Sequence, residues 1–183
     1  MVKEFVYEWP ELVKIVEKLK RGEKLEESDK LWVKGLAEAT GWDGEDIIEE
    51  LVNVDVNPSE RVKKYMELHE EYFDEALKLK VRGDRRQAGE KLWGAVTALI
   101  KLYAARKNVY VSHWGRGKLE SFITYNVEEK YKQLFRTLLD KVQVFHENFY
   151  EANLDDKTFD ERWMEAVELV SKVREVVLSG LTN

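Results

Sequence analysis

The sequence contains no cysteine, only two prolines and only three histidines among its 183 residues. Without cysteine the chain has no disulfide, no thiolate ligand for a metal ion and no cysteine nucleophile. No window approaches the roughly 18 uncharged apolar residues that a membrane helix needs. The first residues carry charges throughout and lack the apolar stretch of a secretory signal peptide. We therefore expect a protein of the cytoplasm that does not contact a membrane.

Apolar and charged residues are both abundant. Hydrophobic residues make up 44% of the chain, which is enough to bury a core, and charged residues make up 36%. This charged fraction, together with the lack of cysteine and the scarcity of glutamine, is typical of proteins from thermophiles, which favour ion pairs over labile side chains. The chain length suits one domain with a small added subdomain.

The sequence signals for the starts and ends of helices are clear from residue 57 onwards. The segment NPSE at 57–60 has the spacing of a capping box, with proline at the first helical position. Gly83 is predicted to end that helix, and Asp84 with Gln87 to begin the next one. Because a single glycine corner separates them, the two helices should form an antiparallel hairpin.

Two further long helices are predicted in the rest of the chain. Asn126 with Glu129 should open one of them, and Thr158 with Glu161 the other. Each has apolar residues at spacings of three and four, which places them on one face. Long amphipathic helices with short connections predict an all-α fold, an up-down helical bundle of four to five helices over residues 58–183.

Residues 1–57 are predicted to form a small, acidic N-terminal extension or subdomain. They contain 15 Asp and Glu against 8 Lys and Arg, a balance of −7, whereas residues 58–183 have a balance of +1. Three short helices are predicted here. Periodicity leaves open whether they form a lid, a cap on one end of the bundle or a dimerisation arm. Their charge also suits a basic protein partner.

A basic run covers residues 78–118, with eleven Lys and Arg and only two acidic residues. A local field of that sign would attract a polyanion even though the whole chain has a net charge of −6, because distant charges are screened. A solvated helix face is the alternative explanation for this run.

The scarcity of histidine limits the metal and acid–base chemistry. His69 and His146 fall on apolar helix faces, and the residues three positions before them are Met66 and Gln143. A carboxylate-bridged metal centre of the bundle type would have glutamate there. We therefore expect both to be core or interface histidines, with a small-molecule cavity beside them as the alternative. No metal or cofactor is expected, and no glycine-rich phosphate loop occurs.

The third histidine, His113, lies in a loop just after the predicted helix that contains Arg106. Histidine takes up a proton near neutral pH and a guanidinium grips two phosphate oxygens, so this pair is a candidate site. The predicted binding residues of the same region are Lys101, Lys107, Asn108, Tyr110, Ser112, Trp114 and Arg116. In the alternative interpretation, Arg106 complements the dipole of its helix and His113 fills a turn.

Two segments of the chain resemble the archaeal PaREP family. They are GDRRQAGEKLWGAVTALIKLYAARK at 83–107 and FHENFYEANLD at 145–155. The similarity extends over roughly residues 58–180 and leaves out residues 1–57. It implies a HEPN-like helical bundle whose members commonly pair as homodimers. Such relatives include RNA- and nucleotide-associated proteins and metal-independent ribonucleases.

HEPN ribonucleases are identified by an arginine followed by a histidine after a short spacer. Arg106 and His113 enclose the six residues KNVYVS, at the upper limit of that spacing, and Lys107 stands where a polar residue usually follows the arginine. The resemblance therefore implies Arg106 and His113 as catalytic residues of an RNA- or nucleotide-binding protein with endoribonuclease activity. The alternative is a non-enzymatic helical interaction module, a dimeric adaptor whose residues 1–57 bind a partner.

Overall fold

The structure is a computed structural model that describes residues 10–40, 44–53, 58–107, 109 and 116–179. These residues form eight α-helices and no strand, which confirms the all-α prediction for this part of the chain. The helices are α1 (Pro10–Lys20), α2 (Glu27–Thr40), α3 (Gly44–Asn53), α4 (Pro58–Val81), α5 (Arg85–Arg106), α6 (Arg116–Asn126), α7 (Glu129–Glu151) and α8 (Asp156–Leu178). None of the helices in these ranges is long and apolar enough to cross a membrane.

Backbone contacts divide the chain into two compact units. One comprises residues 1–57 with 110–118, and the other residues 58–109 with 119–183. In the first unit, α1, α2 and α3 pack around a small core of their own. Its buried members are Ile15, Val16, Val33, Ile47 and Leu51. An ion pair between the Lys18 Nζ and the largely buried Asp29 Oδ2, 2.7 Å apart, joins α1 to α2.

Helix α5 is the central helix of the second unit. Twelve of its 22 residues are buried. Helices α4, α7 and α8 all pack against it, so that its apolar side chains are covered on most of its circumference. This arrangement is the helical bundle predicted from the periodicity of the sequence.

The turn between α4 and α5 follows the predicted signals. Gly83 has a φ of 83°, a left-handed conformation that glycine adopts at little cost and that ends a helix. The Asp84 carboxylate accepts a hydrogen bond of 3.1 Å from the backbone N–H of Gln87, which caps α5. Asn57, the predicted cap of α4, lies outside the described residues.

The predicted starts of the two last helices are wrong by a few residues. Asn126 is the final residue of α6, and Glu128 is the N-cap of α7. At α8 the cap is Asp155 rather than Thr158. The Asp155 carboxylate accepts hydrogen bonds from the backbone N–H groups of both Lys157 and Thr158, each at 3.0 Å. It therefore satisfies two of the four N–H groups that a helix start leaves free.

Helices α5 and α7 approach each other closely at Gly89. A Cβ atom at this position would lie 2.9 Å from the Cβ of Phe145, closer than two side chains can come. Phe145 is fully buried, and its ring packs against those of Phe159 and Trp163 at centroid distances of 4.8 and 6.0 Å. Glycine at position 89 therefore allows α5 to pack directly against the aromatic cluster that α7 and α8 form.

His69 is a core residue, as predicted. Its side chain on α4 is fully buried, and its Nδ1 lies 2.9 Å from the carbonyl oxygen of Ala95 on α5. The carbonyl accepts, so Nδ1 carries the proton, and Nε2 has no hydrogen-bond partner in the described part of the chain. Burial lowers the pKa of this imidazole below its ordinary value, because the charged form would lose its hydration.

His69→Leu is expected to flatten the dependence of stability on pH below neutrality. Because burial lowers its pKa from the ordinary 6.5, the folded histidine binds a proton at lower pH than the unfolded one does. The stability that this neutral histidine contributes is thus complete above about pH 6.5 and is lost as the pH falls. The free energy of unfolding then changes by at most about 1.4 kcal/mol per pH unit. Urea unfolding at pH 7.5, 6.0 and 5.0 measures it, and an unchanged slope in the variant would contradict the assignment.

Candidate functional site

Several cations of the basic run are neutralised by acids on neighbouring helices. Arg85 makes two hydrogen bonds of 3.0 Å to the carboxylate of Asp160 on α8, and Lys80 Nζ lies 2.9 Å from the same group. These contacts hold the pKa of Asp160 well below its usual range. Lys91 on α5 pairs with Glu75 on α4, and Lys78 pairs with Asp74 within α4 itself. The predicted basic field over residues 78–118 is therefore weaker than the count of charges indicates.

Arg106 contributes to a pocket of about 380 Å³ in the second unit. The pocket lies between the C-terminal end of α5, the first turn of α7 and the last turn of α8. Its polar lining consists mainly of Tyr103, Arg106, Lys107, Glu128, Lys130 and Tyr131. This volume is at the small end of the range for ligand pockets, roughly 300–1,000 Å³.

Three cations line this pocket. Arg106 is half-buried and, within the described part of the chain, has no ion-pair or hydrogen-bond partner for its guanidinium. Lys107 Nζ lies 5.4 Å from the ring centroid of Tyr103, and Lys130 Nζ lies 4.7 Å from that of Tyr131. Each ammonium therefore rests over an aromatic face, an arrangement that favours a cation.

Among the described residues of the pocket lining, Glu128 alone is acidic. Its Oε1 lies 3.6 Å from Lys107 Nζ and its Oε2 lies 3.4 Å from Lys130 Nζ. A hydrogen bond with Tyr131, followed by the contact with Glu128, raises the pKa of Lys130 above its ordinary value, so this lysine stays charged at neutral pH. The lining residues that the structure describes thus carry three positive charges and one negative charge.

Tyr103, another residue of the pocket lining, carries a buried hydroxyl. Only 4% of the residue is exposed, and its ring packs against those of Phe122 and Phe135 at 6.2 and 5.2 Å. The hydroxyl is buried and has no hydrogen-bond partner among the described residues. Leaving such a group unsatisfied costs about 1–3 kcal/mol, which a ligand that accepts a hydrogen bond from the hydroxyl would recover.

The predicted site residues are only partly brought together. Arg106 and Lys107 line the same pocket. Lys101 does not belong to its lining, and its Nζ lies 5.7 Å from the ring of Tyr65 on α4 instead. Arg116 is the exposed first residue of α6. The remaining predicted residues lie outside the described part of the chain: Asn108, Tyr110, Ser112, His113 and Trp114. The pairing of Arg106 with His113 therefore stays a prediction.

Glu128, Lys130 and Tyr131 line the pocket but were not identified from the sequence. They are more than twenty positions from Arg106 and are brought to it by the antiparallel packing of α7 against α5. The signal that could have identified them is topological. A helix that runs antiparallel to α5 must place its start beside the end of α5.

His146 is an interface histidine, in agreement with the prediction. Its Nδ1 lies 2.8 Å from Oε2 of Glu90, so the pair joins α7 to α5. The imidazole stacks on the ring of Trp93 at a centroid distance of 5.2 Å and is about 30% exposed. None of these three residues lines the pocket that contains Arg106.

Comparison with known proteins identifies one family. The model described as "Archaeal PaREP1/PaREP8 family" matches residues 64–170. No curated protein and no solved structure gave a significant match. The matched region begins in α4 and ends in α8, and it includes Arg106 and the first turn of α7. Because the match covers more than half of the chain, the protein belongs to the archaeal PaREP1/PaREP8 family.

Proposed function

We propose that this protein is a HEPN-like, cytoplasmic RNA-binding protein that acts as a homodimer and cleaves RNA without a metal ion, with Arg106 and His113 as catalytic residues. The observation that carries the proposal is the guanidinium of Arg106, which lines a cationic pocket and has no ion-pair partner in the described part of the chain. Arg85 on the same helix differs in this respect, because its guanidinium is paired with the carboxylate of Asp160.

The chemistry requires one proton acceptor and one fixed cation. His113 takes the proton of a ribose 2′-hydroxyl, and the freed oxygen attacks the adjacent phosphorus. The bond to the 5′-oxygen of the next nucleotide breaks, that oxygen takes a proton from water, and a cyclic 2′,3′-phosphate remains. His113 then returns its proton to the solvent, which restores the neutral imidazole. Arg106 stabilises the charge that develops on the phosphate oxygens, because its guanidinium stays protonated and contacts two oxygens at once.

The flanking residues would bind the substrate. Lys107 and Lys130 supply positive charge to the pocket, and both are close enough to Arg106 to line the same space. Asn108, Tyr110 and Ser112 follow Arg106 in the chain and are proposed to orient the phosphate, with Trp114 as a surface on which a base stacks. In a homodimer, two such loops would face each other across one cleft, to which Arg116 adds positive charge.

Incubation of the purified protein with a structured RNA in excess EDTA tests the enzymatic proposal. Cleavage is expected to proceed without metal and to be abolished by His113→Ala, because no other residue of the proposed site takes the 2′-hydroxyl proton. His146→Ala is the matched control, since its imidazole pairs with Glu90 away from the pocket and should leave cleavage unchanged. Gel analysis of the products measures both rates. Uncut RNA, or cleavage that survives His113→Ala, would refute the proposed activity.

A second candidate function is a non-enzymatic interaction module, a dimeric adaptor that binds a basic protein partner through residues 1–57. It is supported by the separate core of α1–α3, and by Leu31 and Val52, which are 68% and 38% exposed. The acidic balance of this segment suits such a partner. The EDTA assay distinguishes the two proposals, because an adaptor leaves the RNA intact in wild type and in both variants.

A further inference from the structure

The carboxylate of Glu128 lies between two of the cations that line the pocket. Its carboxylate is shared between the ammonium groups of Lys107 and Lys130 at 3.6 and 3.4 Å. Both distances exceed the roughly 2.7–2.9 Å of a direct charge-assisted hydrogen bond. The Glu128 side chain is also 51% exposed. A carboxylate bound this loosely is poorly matched to its two partners, and an anion with more oxygens would contact both lysines better.

The first turn of α7 adds to the positive field of the pocket. Glu128 is the N-cap of this helix, yet its side chain makes no capping hydrogen bond. The N–H groups of a first turn carry a partial positive charge and commonly bind anions. Lys130 and Tyr131 in the same turn both line the pocket, so the turn faces the space that Glu128 shares.

The Tyr103 hydroxyl is an independent observation that points to a ligand. It belongs to a residue of the pocket lining, is buried and has no hydrogen-bond partner among the described residues. Buried polar groups are nearly always hydrogen-bonded. A hydroxyl donates one hydrogen bond, so a ligand oxygen in the pocket would satisfy it.

We propose that Glu128 occupies the place of a phosphate group in the free protein, and that a nucleotide phosphate displaces it to bind among Arg106, Lys107 and Lys130, with the Tyr103 hydroxyl as a further donor. The inference rests on the proposed function and names the ligand of its pocket. The volume of about 380 Å³ suits one nucleotide. The phosphate belongs either to a free or terminal nucleotide or to a phosphodiester within an RNA strand.

Displacement makes an uncommon prediction, because removal of a pocket residue should strengthen binding. With Glu128 the lining carries a net charge of +2, and Glu128→Gln raises it to +3 while keeping the side chain's shape. Loss of one opposing charge a few ångströms from the ligand should increase phosphate affinity on the order of tenfold in a partly solvated pocket. The substitution should leave α7 intact, since the carboxylate makes no capping hydrogen bond.

The experiment is isothermal titration at low salt with three ligands: adenosine monophosphate, adenosine, and a 2′-O-methyl RNA tetranucleotide without terminal phosphates, which lacks the nucleophile and cannot be cut. Glu128→Gln is expected to bind at least one phosphate-bearing ligand about tenfold more tightly and adenosine no more tightly. A gain for adenosine monophosphate identifies a terminal or free phosphate as the ligand, and a gain for the tetranucleotide identifies an internal phosphodiester.

Two matched variants complete the test. Glu129→Gln removes the same charge from the same turn, but Glu129 pairs with Lys132 away from the pocket lining, so affinity should not change. Tyr103→Phe removes only the hydroxyl and should weaken phosphate binding severalfold. Unchanged or weaker binding to Glu128→Gln, an equal gain for adenosine, or an equal gain in Glu129→Gln would overturn the proposal.

The test separates this inference from the proposed activity. RNA cleavage that depends on His113, combined with unchanged nucleotide affinity in Glu128→Gln, would overturn the displacement and leave the ribonuclease proposal standing. Tighter nucleotide binding in Glu128→Gln, combined with uncut RNA, would support the phosphate site and refute the ribonuclease.

Discussion

Arg106→Ala should lower the rate of RNA cleavage about 100- to 1,000-fold, the loss that follows removal of one preorganised group that stabilises transition-state charge. Arg106→Lys should recover only part of that rate, because an ammonium keeps the charge but cannot contact two phosphate oxygens in one plane. Single-turnover cleavage in EDTA measures these rates. Arg82→Ala is the control, since Arg82 is an exposed arginine beyond the end of α4 and outside the pocket lining.

The same variant tests the structural explanation of Arg106. Arg106 lies in the last turn of α5, where a cation interacts favourably with the helix dipole by about 0.3–1 kcal/mol. Arg106→Ala should therefore reduce the free energy of unfolding by no more than that amount. A larger loss of stability with an unchanged cleavage rate would show that the guanidinium serves the fold and not the reaction.

Phe145→Ala is expected to lower the free energy of unfolding by about 3–5 kcal/mol, the usual cost of emptying the site of a buried aromatic ring. Phe145 is fully buried, and it contacts α8 through Phe159 and Trp163 and α5 at Gly89. The close approach at Gly89 prevents α5 from moving inwards to fill the cavity. Urea unfolding followed by circular dichroism measures the loss.

Two variants accompany this measurement. Phe145→Leu keeps most of the side-chain volume and should cost less, so it remains informative if the alanine variant does not fold. Tyr125→Ala also removes an aromatic ring, but that ring is 82% exposed on α6, and its loss should change stability by less than about 0.5 kcal/mol. Equal losses for positions 145 and 125 would contradict the packing described here.

The helices were predictable where the sequence carries local signals. Asp84 caps α5, and Gly83 ends the preceding helix. Each of these signals acts on backbone groups only a few residues away, so a short window of sequence contains it. The start of α7 was missed because its N-cap, Glu128, makes no side-chain hydrogen bond to the first turn and so has no capping signature. At α8, Asp155 and Thr158 are both capping types, and only the geometry shows which one accepts the N–H groups.

Of the candidate site, only the residues at the end of α5 were predictable from the sequence. Arg106 was identified because it belongs to a local motif, whereas Glu128 and Lys130 come from a helix more than twenty residues away. Lys101 was assigned to the same site but lies five residues from Arg106, about 140° around a helix of 3.6 residues per turn, and contacts α4 instead. The charge of the basic run was overestimated for a related reason. Asp160, which pairs with Lys80 and Arg85 of this run, lies on α8, far from both in the sequence.

The close contact at Gly89 has a consequence for the pocket at the other end of α5 and α7. Arg106 is 17 residues from Gly89 along α5, a distance of about 25 Å at 1.5 Å per residue, and Glu128 is equally far from Phe145 along α7. A larger residue at position 89 would push the axes of the two helices apart and tilt one against the other. The width of the pocket that contains Arg106 would change with that tilt, so a substitution at residue 89 would alter the pocket as well as the core.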